Sequence, residues 1–285
     1  PMRLGKDGSV SALAIYVENT VPNLILEESV LGRMFIDMAR KDPKEVYQAV
    51  EANSLGLSEA QPLQTREEGM NAMLAGNLLL LVEGYDKGLK IGSKGYPARS
   101  VDNTDTEKVL RGSNEGFTES VKTNTALIRK RIRSTDMKVE ELTAGVRSNT
   151  RLVLVYMKEL VYPEVLEQIR RGIDQFVIDG VLDSGIIEQL TEEDWVSPFP
   201  QFQTTERPDL AAMEVLDGRV VLLCDNSPVA LLLPSVFQDF MNVTEDRYNR
   251  FEIASFERVI RYAAMIFSFL LSGTCLLYTS PSPRD

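Results

Sequence analysis

The sequence contains no histidine. That absence removes the side chain that most often serves as a general base near neutral pH, every triad built on it, and most zinc sites. Cysteine is nearly missing as well. Cys224 and Cys275 are the whole complement, too few for a disulfide framework, so a reduced compartment is the default. Positive charge is in deficit, with 31 Lys and Arg against 42 Asp and Glu and a net charge of -11. Such a field repels polyanions, and no nucleic-acid partner is expected. The start of the chain has no charged and apolar signal-peptide architecture, and it begins at Pro1 rather than methionine, so it reads as a fragment. The glycosylation pattern Asn242-Val243-Thr244 stands alone, with nothing else pointing to secretion.

Catalytic motifs are absent in the same way. Gly88, Gly92 and Gly95 surround Lys90 and Lys94, but the lysine of a phosphate-binding loop directly precedes a hydroxyl residue and opens a helix. Here Ser93 precedes Lys94 and Pro97 lies just beyond. No Gly-x-Ser-x-Gly elbow or Ser-x-x-Lys motif occurs. Asp179 with Asp183, and Glu192-Glu193-Asp194, lack partners at a telling spacing and read as solvated carboxylates. The chain is therefore expected not to be an enzyme and to use no cofactor or metal.

What is present fits a folded protein. At 285 residues and 31.9 kDa the chain exceeds a usual single domain, and two cores are expected. Apolar residues make up 44% and charged residues 26%, close to globular averages. Ser11–Val17 reads as a strand and Leu26–Met38 as a helix. Thr65 and Glu68 form a capping-box pattern that opens a second helix, which stops near Gly76. Leu78–Val82 and Leu89–Ile91 flank a Gly84–Gly88 turn as a hairpin. Residues 101–116 are polar and broken by glycine, as a linker or interlobe segment would be.

Beyond the linker, Phe117, Val121, Thr125, Ile128 and Ile132 mark one face of a helix. Its C-terminal end carries Arg129-Lys130-Arg131, where cations complement the helix dipole. Leu152–Tyr156 (strand), Glu164–Arg171 (helix), Phe176–Ile178 (strand) and Gly185–Leu190 (helix) give a βαβ rhythm. Pro208 opens a further helix. Val220–Leu223 and Val229–Leu233 flank Asp225-Asn226-Ser227-Pro228 as a second hairpin. The last ordered element is expected from about Glu245 to Arg261, leading into an uncharged run from Tyr262 to Leu277. At roughly 1.5 Å per residue that run covers about 24 Å, less than the roughly 20 residues a bilayer needs. With Arg258 and Arg261 before it, it reads as a membrane helix cut short. No internal repeat is visible.

The expected architecture is α/β: a two-lobed soluble domain with mixed sheets flanked by helices, followed by the start of a transmembrane helix. The lobes span 1–100 and 117–258, with the linker between them and the helix start at 259–277. Residues 275–285, ending Leu-Leu-Tyr-Thr-Ser-Pro-Ser-Pro-Arg-Asp, look like translated sequencing adaptor and read as a non-native tail.

Several blocks carry a family resemblance. Arg111-Gly112-Ser113-Asn114-Glu115-Gly116-Phe117-Thr118-Glu119 and Asn124–Ile132 closely resemble the A subunits of bacterial spore germinant receptors. Asp183-Ser184-Gly185, Ser197-Pro198-Phe199-Pro200-Gln201, Thr205-Glu206-Arg207-Pro208-Asp209, Leu216–Val220 and Ser227-Pro228 follow in that family's order. Asp225-Asn226 stands where the family more often has Asp-Gly, which is expected to change the turn type.

The resemblance implies two α/β lobes facing the cytoplasm, which in a spore is the core, ahead of several membrane helices. It also implies a homo-oligomer of A subunits acting in a nutrient-gated channel of the inner spore membrane, with a transporter-like B subunit and a C-subunit lipoprotein as partners. A domain that itself binds the nutrient, an amino acid or a sugar, is the alternative. The expected interlobe or intersubunit contacts are Arg111, Glu115, Phe117, Glu119, Asn124, Arg129, Arg131, Pro198, Phe199, Pro200, Glu206, Arg207, Asp209 and Asp225.

Overall fold

The computed structural model describes residues 1–18, 20, 32–38, 40–51, 60–92, 107, 112–175, 177–192, 197, 199–243, 246 and 250–279. Outside them fall the expected helix start at residues 26–31, the Lys94 region, most of the expected linker, Phe176, Trp195, Pro198, Glu245 and the tail from residue 280.

In the first lobe, β1 (Met2–Leu4) and β2 (Val10–Ile15) form a hairpin, and helices α1 (Gly32–Met38) and α2 (Pro43–Glu51) follow. Then come β3 (Ala60–Leu63), α3 (Arg66–Leu74) and a second hairpin of β4 (Leu78–Val82) and β5 (Gly88–Ile91). The strand order is β1-β2-β4-β5-β3. Strand alternation places Leu78, Leu80 and Val82 on one face, and that face buries against Met34, Met38, Val46 and Val50. Thr65 and Glu68 make the reciprocal cap of α3, and Gly76 leaves it at φ 82°. Pro62, which has no N–H to donate, sits in the edge strand β3, where a missing donor is tolerated.

Helix α4 (Val121–Arg131) opens the second lobe, followed by β6 (Met137–Ala144), β7 (Thr150–Met157), α5 (Pro163–Gln175) and α6 (Ser184–Thr191). β8 (Gln203–Thr205), α7 (Pro208–Leu216), β9 (Val220–Cys224) and β10 (Ala230–Leu233) complete it. The order is β6-β7-β9-β10-β8. α4 and α7 pack Leu127, Ile128, Ala211 and Val215 on one face of the sheet, against Val153, Val155, Val221 and Leu223. α5 and α6 pack Leu166, Ile169 and Ile187 on the other face, against Leu152, Leu154, Leu222 and Leu231. Cover on both faces is why β9 and β10 are apolar at every position. A 3-10 helix (Phe237–Met241) and α8 (Phe251–Thr279), a helix of 29 residues, end the described chain.

The α/β class and two helix-flanked sheets are as expected, but every pairing within them is antiparallel where mixed sheets were expected. The reason lies in the crossovers. β8 and β9 run the same way, joined through α7, but β10 inserts between them; β5 inserts between β3 and β4 likewise. Other corrections are local. α4 begins at Val121 rather than Phe117, β1, α2, β3, β6 and β8 were not anticipated, and Val177 and Ile178 lie outside any strand. The final helix starts at Phe251.

The lobes also repeat one another, which the sequence did not reveal. Each runs hairpin, two helices, strand, helix, hairpin, with the same spatial order of strands. α3 and α7 are both nine residues, β4 and β9 both five, and β5 and β10 both four. Gly76 and Gly218 follow the helices at φ 82° and 92°, and Gly84 and Asn226 sit in the hairpin turns at φ 82° and 67°.

Candidate functional site

Blocks far apart in sequence meet around α4. At its N-terminus Ser120 accepts from Thr123 N–H at 3.4 Å, and the Asp225 carboxylate accepts from Val121 N–H at 3.1 Å. Both satisfy donors that a helix start leaves open, and the negative charge suits the positive end of the dipole. Asn226 N–H donates to the Glu119 carbonyl at 2.8 Å. Asn226 holds a left-handed conformation at φ 67°, one that asparagine and glycine adopt more readily than other residues. Asn124, 1% exposed, turns its side chain back onto the incoming chain. Its Oδ1 accepts from Thr118 N–H at 2.8 Å, and its Nδ2 donates to the Thr118 carbonyl at 2.6 Å.

At the other end of α4, Lys130 and Arg131 both reach Glu115, at 2.8 and 2.6 Å, and Arg131 also donates to the Leu127 carbonyl at 2.9 Å. Burial opposes ionisation of Glu115, but the hydrogen bonds from Lys130 and Arg131 outweigh it and hold its carboxyl below the usual range.

The incoming chain is fastened to α7 as well. Phe117, itself in the core, donates its N–H to the Glu206 carbonyl at 2.8 Å. Glu107 accepts from the Thr205 hydroxyl at 2.7 Å and from Glu206 N–H at 3.2 Å. Burial pushes the Glu107 carboxyl up, against these bonds and the nearby Arg207 charge. Arg207, 0% exposed, donates to the Glu107 carbonyl at 3.3 Å and forks onto Asp209 at 3.2 and 2.8 Å. Further out, the Ser184 and Ser227 hydroxyls lie 3.0 Å apart and link α6 to the β9–β10 turn. A hydrogen bond from Ser227 holds the Asp183 carboxyl low.

Burial, with Asp183 and Asp225 close by, pushes the Cys224 thiol up to about 12. Among the described residues no group of three or more metal-ligating side chains converges.

Of the expected contact residues, Glu115, Phe117, Glu119, Asn124, Arg131, Glu206, Arg207, Asp209 and Asp225 come together here. Phe199 and Pro200 sit elsewhere: Phe199 meets Phe237 edge-on at 6.2 Å, and the Pro200 carbonyl accepts from the Ser235 hydroxyl at 2.6 Å. Arg111 and Pro198 lie outside the described residues. Sequence reasoning missed Glu107, which no local pattern marks.

Arg129 faces a crevice of about 80 Å³ between the lobes, where Glu18 of the first meets Lys122, Arg129, Glu141 and Arg151 of the second, among valines. Lys122 and Glu18 pair across it at 2.9 Å. A larger apolar hollow of about 520 Å³ lies in the first lobe, between Met70 and Met73 of α3 and Ile15, Leu79 and Leu81 of the sheet. It occupies the position at which the second lobe packs α4 against α7, β7 and β9. Among the described residues no helix is long and apolar enough to cross a membrane, though α8 exposes Phe256, Ile266, Phe267, Phe269 and Leu271.

The family model described as Bacillus/Clostridium GerA spore germination protein matches residues 1–282. Spore germination protein KA of Bacillus subtilis (strain 168) is 30% identical over 279 residues, covering 98% of this chain and 51% of that protein. The uncharacterized membrane protein YfkQ of the same organism is 35% identical over 257 residues, covering 90% of this chain and 50% of that protein. The chain thus spans about half the length of these relatives. The crystal structure of the N-terminal domain of the A subunit of the Bacillus megaterium spore germinant receptor GerK3 matches with a TM-score of 0.59 and 25% identity, over 83% of this chain and 87% of that one.

Proposed function

Because the chain belongs to the GerA family of spore germination proteins, we propose that it forms the N-terminal part of a germinant-receptor A subunit. There it serves oligomerisation and signalling in a nutrient-gated ion channel rather than catalysis. The observation that carries this reading is the likeness in fold to the GerK3 A-subunit N-terminal domain across both lobes. The exposed apolar side chains of α8 support the rest: the charge-free stretch from Tyr262 onward begins a membrane helix in the inner spore membrane, and the lobes face the spore core. The partners are further A subunits, a transporter-like B subunit and a C-subunit lipoprotein. The division into lobes 1–100 and 117–258 belongs to the same reading, with Glu107 and Glu115, from the stretch between them, bonded to the second lobe. The test is deletion of the gene in the spore-former that carries it, scoring germination against a nutrient panel, with cross-linking of the protein in spore membranes. Loss of the response to one nutrient, with cross-links to B and C subunits, is expected. An unchanged response to every nutrient and no such cross-links would overturn the reading.

A second reading rests on the interlobe crevice. Lys122, Arg129 and Arg151 face Glu18 and Glu141 there, which suits a small zwitterion such as an amino acid. Thermal shift of the protein with amino acids and sugars, repeated with Arg129→Gln and Arg151→Gln, checks it. A nutrient-dependent shift abolished by either variant supports binding in this domain, and the absence of any shift leaves the signalling role alone.

A further inference from the structure

The proposal concerns the 3-10 helix Phe237–Met241. It is held firmly from one side: the Arg219 guanidinium forks onto Asp239 at 2.8 and 2.9 Å, and Arg219 also pairs with buried Glu214 at 3.2 Å. With Asp239 turned inward, Phe237 and Phe240 are turned outward, 49% and 45% exposed. Val236 and Phe199 extend the same apolar patch, Phe199 stacking edge-on against Phe237. A contiguous exposed patch of apolar side chains marks an interaction surface.

The position of the patch along α8 identifies that partner. Arg261 donates to the Met241 carbonyl and pairs with Asp246, so the end of the 3-10 helix is pinned to α8 at the level of Arg261. Arg261 is also the last charged residue of α8: from Tyr262 to Thr279 none follows. If that stretch enters lipid, Arg261 marks the water boundary, and the 3-10 helix that carries the exposed phenylalanines is anchored there through Met241, beside the interface at which amphipathic aromatic rings collect in membrane proteins. We propose that Phe237 and Phe240, with Phe199 and Val236, form a membrane-contact patch that inserts at the lipid interface beside the base of α8. The patch fixes how the second lobe sits against the membrane. This inference rests on the reading that α8 begins a membrane helix.

The experiment places single tryptophans in the full chain, in a Trp195→Phe background, and reconstitutes it in phosphatidylcholine–phosphatidylglycerol vesicles with or without brominated acyl chains. Phe240→Trp and Phe237→Trp report on the patch, and Phe269→Trp reports on α8. The expected result is that Phe269→Trp is quenched by bromines deep in the chains. Phe240→Trp and Phe237→Trp should be quenched by shallow bromines more than by deep ones, and shielded from aqueous iodide. Deep quenching at 269 with patch tryptophans open to iodide overturns the patch and leaves the α8 reading standing; a protein partner or a second copy would then be its cover. No quenching at any of the three positions overturns the α8 reading and the patch with it.

Discussion

Asp209 grips the Arg207 guanidinium with both carboxylate oxygens, Nε to Oδ1 at 3.2 Å and Nη2 to Oδ2 at 2.8 Å, and no part of the arginine is exposed. The pair stands at the first turn of α7 and closes over the backbone of residue 107, a hundred residues earlier in the chain. Removing one partner takes the bidentate counter-charge from a buried group, and Arg207→Ala or Asp209→Ala is expected to cost about 3 to 5 kcal/mol. Arg207→Met, which takes the charge away while keeping much of the volume, should cost less than Arg207→Ala. Urea unfolding of the three variants checks the ranking, and equal losses in Met and Ala would show that the missing charge, and not the missing volume, sets the cost there.

The Glu115–Arg131 pair is only partly shielded, so a double-mutant cycle with Glu115→Gln and Arg131→Ala should yield a coupling of roughly 1 kcal/mol at neutral pH. The sign with pH is fixed by the lowered carboxyl of Glu115. Its contribution is present above the ordinary glutamate range and disappears as pH falls through the depressed folded value. Melting curves of the wild type and Glu115→Gln should therefore converge in acid and separate toward neutrality. A separation that grows as pH falls would contradict the assignment.

Asn226 holds φ at 67° in the β9–β10 turn, a conformation that asparagine and glycine tolerate and β-branched residues do not. Asn226→Gly should be near neutral, and Asn226→Val should lose about 1 to 2 kcal/mol. At the equivalent turn of the first lobe, Gly84→Ala meets Tyr47 Oη at 2.9 Å with φ at 82° and should also destabilise. Thermal melts of the three variants decide the matter.

Gly172 of α5 lies close against Thr191 of α6. A Cβ there would stand 2.6 Å from Thr191 Cγ2 and 2.8 Å from Thr191 Cα. Gly172→Ala is expected to lose about 1 to 3 kcal/mol from overpacking, despite the better helix propensity of alanine. A variant as stable as the wild type would mean the two helices separate at little cost.

How much of this was legible in the sequence depended on range. Thr65 with Glu68, Gly76, Pro208 and the Gly84–Gly88 turn act within a few residues of themselves, and each element they punctuate was found. β6 was missed because Met137-Lys-Val-Glu-Glu-Leu breaks alternation at the paired glutamates, and β8 because three residues carry no period. Antiparallel pairing was invisible because a strand–helix–strand order is the same whether or not a hairpin strand slips between. The family blocks named most of the residues around α4. Their meeting, through Phe117 with Glu206 and Val121 with Asp225, depends on contacts some ninety to a hundred residues apart that no local pattern encodes.

The repeated lobes have a consequence for experiment. Gly84 and Asn226 answer one backbone demand with different residues, and Thr65 and Arg207 stand before corresponding helices, one as a cap and the other as a buried charge. The molecule therefore carries its own reference: a substitution made in one lobe can be read against its counterpart in the other, under the same solvent and in the same chain. A difference between the two isolates what each lobe has added to a shared plan, which for the second lobe includes the helix α4 laid where the first keeps a hollow.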